Sequence, residues 1–180
     1  NDSHRFLPSQ TESRSKEGLP ENALVLAAFN NTRKITPDHF QCWMRILQSL
    51  PQAVLWLYCD DAITEGNLRT SAQQAGIPAE RIVFAKHLPE AQHLARHQLA
   101  DIFLDTFPCN AHTTASDALW MGLPIVTIQG QCFASRVAGS LLDAMNLPQL
   151  IAKNLNEYEQ LILNLAAEPQ RLIDYKNHLK

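Results

Sequence analysis

The sequence predicts an α/β fold, in which helices cover both faces of a parallel sheet of about six strands. Short runs that are apolar throughout, as in strands covered on both faces, recur along the chain. Segments with helical periodicity separate these runs, so strand and helix alternate about six times. A Gly-apolar-Pro pattern precedes several of the runs, because glycine closes a helix in the left-handed conformation and proline prevents its continuation.

Six apolar runs are the predicted strands. Four follow the punctuation: ALVLAAF after Gly18, RIVFA after Gly76, IVTI after Gly122 and LIA after Asn146. The other two lie at 53–59 and 101–105. Ligands of parallel sheets bind outside the carboxyl ends of the strands. The residues directly after each strand are therefore the candidates for a functional site.

Helices are predicted between the strands. The segment 37–50 has a proline in its first turn and apolar residues at helical spacing. Further helices are predicted at 67–75, 90–100, 113–121, 134–145 and 156–167, and in the C-terminal segment.

The composition is that of one ordinary globular domain. Of the 180 residues, 46% are hydrophobic and 18% charged, and the net charge of −3 gives no sign of nucleic-acid binding. No apolar run approaches the roughly 20 residues of a membrane span. The four cysteines show no CxxC spacing and no signal peptide is visible, so reduced thiols in a cytoplasmic protein are expected.

The first 20 residues are polar and show no period. We predict a linker or extended segment at 1–20 and one ligand-binding domain at 21–180. Because the chain begins with Asn1 rather than methionine, it is interpreted as a piece of a longer protein or a processed product.

The loop after the first strand, FNNTRKITP at 29–37, carries two amides and two cations, at Asn30, Asn31, Arg33 and Lys34. These groups could face an anionic ligand. They could equally be solvated charges at a helix entry, which the local sequence favours.

A histidine pair follows the third strand. His93 and His97 are four residues apart and Arg96 lies close to the same helix face. Such a pair can bind zinc. No HExxH motif and no third ligand are evident, so an exposed polar helix face is the preferred interpretation.

The stretch after the fourth strand, LDTFPCNAHTTASD at 104–117, combines His112, Thr113, Thr114 and Asp117 around a helix start. The first N–H groups of a helix are unpaired and its dipole is positive there, which suits phosphate. The threonines and the imidazole add donors, and Asp117 could accept from a sugar hydroxyl. Together they predict a nucleotide-like ligand. The simpler interpretation is that Thr113 caps the helix and Asp117 complements its dipole.

Common catalytic fingerprints are absent from the sequence. It contains no GxxxxGK[ST], no GxGxxG and no GxSxG.

Several of these segments, in this order, resemble the O-linked N-acetylglucosamine transferase family, glycosyltransferase family 41. They are FNNTRKITP, VLWLY, RIVFA, HLARHQLADIFLDTFPCNAHTTASDALWMGLPIVT and FASRVAGSLL. The match covers roughly residue 14 to the end and is most similar to bacterial members. It implies a Rossmann-like three-layer α/β/α domain, the C-terminal half of a GT-B glycosyltransferase. An N-terminal catalytic half and tetratricopeptide repeats precede it in that family.

The resemblance also implies residue roles. Lys34 matches the lysine that contacts the diphosphate and favours leaving-group departure, and Asn31 stands where animal enzymes have a glutamine near the phosphates. His93 and Arg96 match residues beside the uracil. The remaining matches are a phosphate-binding turn at His112, Thr113 and Thr114, and a ribose-binding carboxylate at Asp117. Glu90 departs from the pattern, because animal enzymes have a lysine there.

The implied activity is inverting transfer of a sugar from UDP-GlcNAc or another UDP-hexose to serine or threonine of an acceptor protein. No metal or other cofactor is expected, because Lys34 and the helix start could balance the diphosphate charge. The acceptor is expected to bind the missing N-terminal half, so this chain alone should bind UDP and transfer nothing. The alternatives are a UDP-sugar epimerase-like or phosphorylase-like GT-B enzyme and a non-catalytic nucleotide-sugar sensor.

Overall fold

The structure, a computed structural model, describes residues 13–180. In this part of the chain six parallel strands form one sheet with the order β3-β2-β1-β4-β5-β6. The strands are β1 (Leu24–Ala28), β2 (Ala53–Tyr58), β3 (Ile82–Ala85), β4 (Ile102–Leu104), β5 (Ile125–Ile128) and β6 (Ile151–Ala152). The predicted parallel α/β fold is confirmed.

Seven α-helices connect and flank the strands in the described region. They are α1 (Pro37–Ser49), α2 (Ala62–Gln74), α3 (Glu90–Arg96), α4 (Thr113–Trp120), α5 (Val137–Ala144), α6 (Leu155–Ala167) and α7 (Pro169–His178). Helix α2 begins five residues before its predicted start, because the Asp61 side chain caps it by accepting the N–H of Thr64. No helix within residues 13–180 combines the length and apolar character needed to span a bilayer.

The core surrounds the two central strands β1 and β2. Consecutive residues of a strand point to opposite faces, and Val25, Leu26 and Ala27 are all fully buried, as are Leu55 and Trp56. Both faces of the sheet are therefore covered, as the continuous apolar runs predicted.

The predicted helix-stop punctuation is confirmed by the backbone. Gly76, Gly122 and Asn146 follow α2, α4 and α5 with φ of 78°, 75° and 57°. These left-handed conformations end each helix, and the next strand or short 3-10 turn begins a few residues later. Gly18 has the same conformation, with φ of 72°, but lies in a turn.

The predicted linker at 1–20 lies partly outside the described residues, which begin at 13. From there the chain forms a turn that packs on the domain. The Arg14 guanidinium donates to the Leu99 carbonyl and pairs with the Asp101 carboxylate at 3.0 Å, and Leu19 is buried. Whether residues 1–12 form a linker stays a prediction.

Candidate functional site

The sheet has one topological switch point, between β1 and β4. Strands added after β1 lie on one side of it and strands added from β4 onward lie on the other. The loops that leave the carboxyl ends of these two strands diverge and leave a crevice, where ligands of such sheets bind. The FNNTRKITP loop and the LDTFPCNAHTT segment therefore meet at one place, which sequence order alone does not show.

The backbone after β4 is folded into a compact bend at residues 105–114. This bend contains the predicted phosphate-binding residues 112–114 and is called the phosphate-binding turn below. The carboxylate of Asp105 accepts the backbone N–H of Thr106 at 2.7 Å and that of Ala111 at 2.6 Å. The peptide between Phe107 and Pro108 is cis. One buried carboxylate thus brings the two ends of the bend together and sets where α4 begins.

Helix α4 begins at Thr113 without a side-chain cap. Its N-cap residue is His112, and no side-chain hydrogen bond caps the helix. The interpretation that Thr113 caps the helix is therefore wrong, because Thr113 is the first helical residue. The threonine is exposed. An uncapped helix start presents backbone donors and positive partial charge to an anion.

The His112 side chain lies beside this helix start. Its ring meets Phe133 edge to face, with centroids 5.7 Å apart. Its Nε2 atom is buried and has no hydrogen-bond partner in the structure. A buried polar atom without a partner is unusual, and it is compatible with a ligand that would supply one.

Lys34 reaches the phosphate-binding turn from the other loop. A short 3-10 helix at Thr32–Lys34 carries it, and its Nζ donates to the Asn110 carbonyl at 2.8 Å. An ammonium group has three donors, so two remain for other acceptors. Asn31 is exposed, and its side chain accepts the N–H of Arg33 within its own loop.

Two buried polar residues meet at the switch point. Asn30 was considered only as one of four loop groups that could face an anion, and Asp105 was not predicted as a site residue. Asn30 is 2% exposed and Asp105 is 1% exposed. Asn30 Nδ2 donates to Asp105 Oδ1 at 3.1 Å, and Asn30 Oδ1 accepts the hydroxyl of Thr114 at 2.7 Å. The available signal was their position, since Asp105 directly follows β4 and Asn30 lies two residues after the end of β1.

The surroundings of Asp105 are polar on every side. The Thr127 hydroxyl donates to Asp105 Oδ2 at 2.6 Å. The backbone carbonyl of Asp105 lies 2.9 Å from His39 Nε2 and 3.0 Å from the Tyr158 hydroxyl. Burial raises the pKa of Asp105 to about 6, although the hydrogen bonds oppose the rise. At neutral pH the carboxylate is therefore ionised and acts as an acceptor only.

Helix α3 places His93 and Arg96 near the end of β1. The Arg96 side chain is fully buried and lies over the Phe29 ring at 5.1 Å, and its Nη1 donates to the Lys86 carbonyl at 2.7 Å. Its Nε and Nη2 atoms lie 3.1 and 2.6 Å from His93 Nδ1. Because a guanidinium only donates, His93 Nδ1 is the acceptor and the ring proton is on Nε2. Burial lowers the pKa of His93 to about 4, so the ring is neutral.

The expected exposed polar face of α3 is not observed. Arg96 and His97 are buried and His93 is half-buried, because Phe29 packs against all three side chains. His97 Nδ1 lies 2.8 Å from the His93 carbonyl, which leaves it engaged with the backbone. Within residues 13–180 no group of three or more metal-ligating side chains converges.

Asp117 and Glu90 stand at the margins of this arrangement. Asp117 is 8% exposed and lies in the second turn of α4, where it makes an internal interaction. Glu90 is exposed at the first position of α3. The predicted ribose contact of Asp117 and the effect of Glu90 therefore stay predictions.

The switch point thus gathers donors from two loops. Lys34, the start of α4, His112 and Thr113 lie around the phosphate-binding turn, while His93 and Arg96 lie on the neighbouring α3. Such a set suits an anionic group at one end and a neutral, hydrogen-bonding ring at the other.

Comparisons with known proteins identify relatives of this chain. The model of the family described as Glycosyl transferase family 41 matches residues 8–180. The UDP-N-acetylglucosamine–peptide N-acetylglucosaminyltransferase of Caenorhabditis elegans is 38% identical over 164 residues, which cover 91% of this chain and 14% of that protein. The chain therefore spans only a minor part of this relative's length.

Solved structures show the same relationship. The chain is similar to a Thermobaculum terrenum O-GlcNAc transferase mutant, with a TM-score of 0.84 and 32% identity over 88% of this chain and 31% of that chain. UDP-GlcNAc 2-epimerase from Neisseria meningitidis shares the fold alone, with a TM-score of 0.63 and 9% identity over 91% of this chain and 41% of that chain. The predicted Rossmann-like half of a GT-B protein is confirmed. From the family match and these similarities, the chain belongs to glycosyl transferase family 41.

Proposed function

We propose that this chain is the UDP-sugar-binding half of an inverting protein O-glycosyltransferase, which transfers a sugar from UDP to serine or threonine side chains. The observation that carries the proposal is the contact of Lys34 Nζ with the Asn110 carbonyl, at 2.8 Å. It brings a cation from the β1 loop to the uncapped start of α4. A diphosphate bound there would receive donors from both elements.

The same groups would stabilise the leaving group. When the bond between the sugar and UDP breaks, negative charge develops on the diphosphate oxygen. Donors that are already in place at that oxygen lower the barrier, because little reorganisation is needed during the reaction. Lys34 is the proposed catalytic residue in this sense, and the backbone of Thr113 and Thr114 supports it.

The nucleoside end of the donor is proposed to lie against α3. Neutral His93 presents an Nε2–H, which suits a carbonyl acceptor such as those of uracil. The relative from Caenorhabditis elegans is named a UDP-N-acetylglucosamine–peptide N-acetylglucosaminyltransferase. A UDP-hexose donor, with UDP-GlcNAc the first choice, and a protein acceptor follow from this relationship.

No metal ion is required by the proposal. The ammonium of Lys34 and the dipole of α4 supply positive charge where many nucleotide-sugar sites would use a cation. The acceptor site is proposed to lie on another part of a longer protein, because this chain spans 14% of the worm relative. A cytoplasmic location and preceding tetratricopeptide repeats stay predictions.

Calorimetric titration of the 180-residue chain with UDP tests the proposal. Binding is expected in EDTA, with the same dissociation constant after magnesium is added. His112→Ala should weaken it, whereas His178→Ala should not, since His178 is exposed on α7 and bonded to the Met145 carbonyl. Absence of binding at millimolar UDP, or binding only with magnesium, would contradict the proposal.

Catalysis and sensing are distinguished by a second experiment. In the longer protein, Lys34→Met should abolish sugar transfer while the protein remains folded. If biological function survives this substitution although transfer is lost, the site senses nucleotide sugar rather than catalysing. If transfer itself survives, Lys34 is not the catalytic residue. Transfer by the purified 180-residue chain alone would show that no further half is needed.

A further inference from the structure

We infer that Asn30 is a positioning residue for the diphosphate, because it ties the Lys34 loop to the start of α4 through one buried amide. The inference rests on the proposed function, since it concerns the same UDP site. Asn30 itself is only 2% exposed, whereas Thr113 in the first turn of α4 is exposed. Its role is to fix the distance between two sets of donors.

The orientation of the Asn30 amide follows from its two neighbours at Nδ2. Ionised Asp105 can only accept, and its Oδ1 atom lies 3.1 Å away. The single hydroxyl hydrogen of Thr106 is donated to the Cys109 carbonyl at 2.8 Å, so Thr106 Oγ1 faces Asn30 as an acceptor at 2.9 Å. Both neighbours require the NH₂ end of the amide, which leaves the oxygen end for α4.

That oxygen holds the first turn of α4. Asn30 Oδ1 accepts the Thr114 hydroxyl at 2.7 Å, and this bond joins the first turn of α4 to the β1 loop. Asn30 is also four residues before Lys34 in the same loop. A shift of Asn30 would therefore change the separation between the Lys34 ammonium and the α4 N–H groups.

Loss of the Asn30 side chain should leave the phosphate-binding turn itself intact. Asp105 would keep its bonds to the N–H groups of Thr106 and Ala111 and to the Thr127 hydroxyl. What disappears is the link to Thr114, together with the two bonds that Asn30 Nδ2 donates to Asp105 and Thr106. The variant should therefore affect a ligand that spans both elements more than a ligand that lacks phosphates.

Thr127→Val is the matched control. It removes a buried hydroxyl from the other oxygen of Asp105 and changes the side-chain volume little. Thr127 contacts neither the Lys34 loop nor α4 through its side-chain hydrogen bonds. Like the Asn30 variant it deprives Asp105 of a donor and lowers stability, so it reports a purely structural loss.

The test compares the affinities of the chain for UDP and for uridine. NMR chemical shifts monitor both titrations, so that millimolar affinities are measurable. For Asn30→Ala, UDP affinity should fall about tenfold, the equivalent of one hydrogen bond to a charged group. Uridine affinity should stay within about twofold, because it lacks the diphosphate. Thr127→Val should lower the melting temperature and leave the ratio of the two affinities unchanged. Asn30→Ser provides a second variant if the alanine variant does not fold.

A double-mutant cycle that combines the Asn30 variant with Thr114→Val measures the energetic coupling between these two residues in UDP binding. If Asn30 acts through Thr114, the two losses of UDP affinity will not add. Equal losses of UDP and uridine affinity in the Asn30 variants, the same ratio change in Thr127→Val, or additive losses would each overturn the inference. If the wild-type chain binds uridine but gains nothing from the diphosphate, the proposed function fails and this inference fails with it. If wild-type selectivity is present but insensitive to Asn30, only the positioning role is refuted.

Discussion

The phosphate-binding turn and helix α3 use their polar side chains in opposite ways. At the turn, the buried Asp105 carboxylate closes the bend, while Thr113 and two hydrogens of Lys34 stay available. On α3 the cation itself is buried, and Arg96 gives its donors to His93 and a backbone carbonyl. One region displays charge and the other uses charge to orient a neutral ring.

This difference shows that a cation predicted at a ligand site can have one of two roles: it can face the ligand itself, or it can orient a neighbouring side chain. Lys34 and Arg96 are both cations after strands in a family whose donor is anionic. Only Lys34 has hydrogen-bonding capacity left beside the uncapped start of α4. Arg96 fixes the tautomer of His93, so we expect Arg96 to influence UDP binding through that ring.

The largest expected effect is on stability at low pH. Burial lowers the pKa of His39 and His93 to about 4 and that of His97 to about 3. The unfolded chain binds protons on these rings near pH 6.5, so stability is full above that pH and falls as the pH drops toward 4. Asp105 opposes the fall, because its pKa is raised to about 6 and its protonation favours the folded state. Unfolding in urea should show a net loss of about 3 kcal/mol between pH 7 and pH 5.

Two variants assign this acid sensitivity to the buried rings. His97→Asn should reduce it, because the amide can still donate to the His93 carbonyl but does not titrate. Gln98→Asn should leave it unchanged, since Gln98 is exposed beside His97 and does not titrate. An unchanged pH profile in the His97 variant would show that another group controls acid unfolding.

The next effect separates phosphate from nucleoside binding. Lys34→Met should weaken UDP about thirtyfold, since a charged hydrogen bond is lost, and leave uridine unaffected. Lys34→Arg, which keeps the charge on a longer fork, should recover part of the affinity. A UDP affinity that is indifferent to Lys34 in calorimetry would remove this residue from the site.

A smaller, unselective effect is expected on α3. Arg96→Met should weaken UDP and uridine alike, by about tenfold, because His93 loses the partner that fixes its Nε2–H tautomer. The ratio of the two affinities should stay constant, in contrast to the Lys34 variant. A selective loss of UDP would mean that Arg96 acts on the diphosphate directly.

The smallest effect concerns the hydroxyl of Thr113. Thr113→Ala should cost about two- to threefold in UDP affinity, because one neutral donor is lost while the backbone N–H of residue 113 remains. Thr113→Ser should bind as the wild type does. A loss as large as that of Lys34→Met in the same titration would shift the main phosphate contact from the backbone and Lys34 to this side chain.

Much of the fold could be predicted because local chemistry determines it. The left-handed residues Gly76, Gly122 and Asn146 end helices wherever they occur, so the predicted starts of β3, β5 and β6 were close to those observed. The start of α2 was missed, because its first turn shows little apolar periodicity and the cap at Asp61 was not recognised. The position of β4 beside β1 is set by packing between distant segments, and no local pattern encodes it.

The candidate site was predictable where its residues are adjacent in sequence. His112, Thr113 and Thr114 share one turn, so the helix-start argument applied to them directly. Asn30 and Asp105 are 75 residues apart, and their functional meaning appears only when the switch point brings them together. The buried face of α3 was misjudged for the same reason, because Phe29 covers it from the end of β1.

The most direct test of the proposed diphosphate site is an NMR titration of the 180-residue chain with UDP in EDTA. The largest amide shifts are expected at residues 31–34 and 111–115, with smaller shifts on α3. The shifts at residues 31–34 and 111–115 should be lost with uridine. Shifts confined to other surfaces, or shifts at these amides only after magnesium is added, would contradict a metal-independent diphosphate site at the β1–β4 switch point.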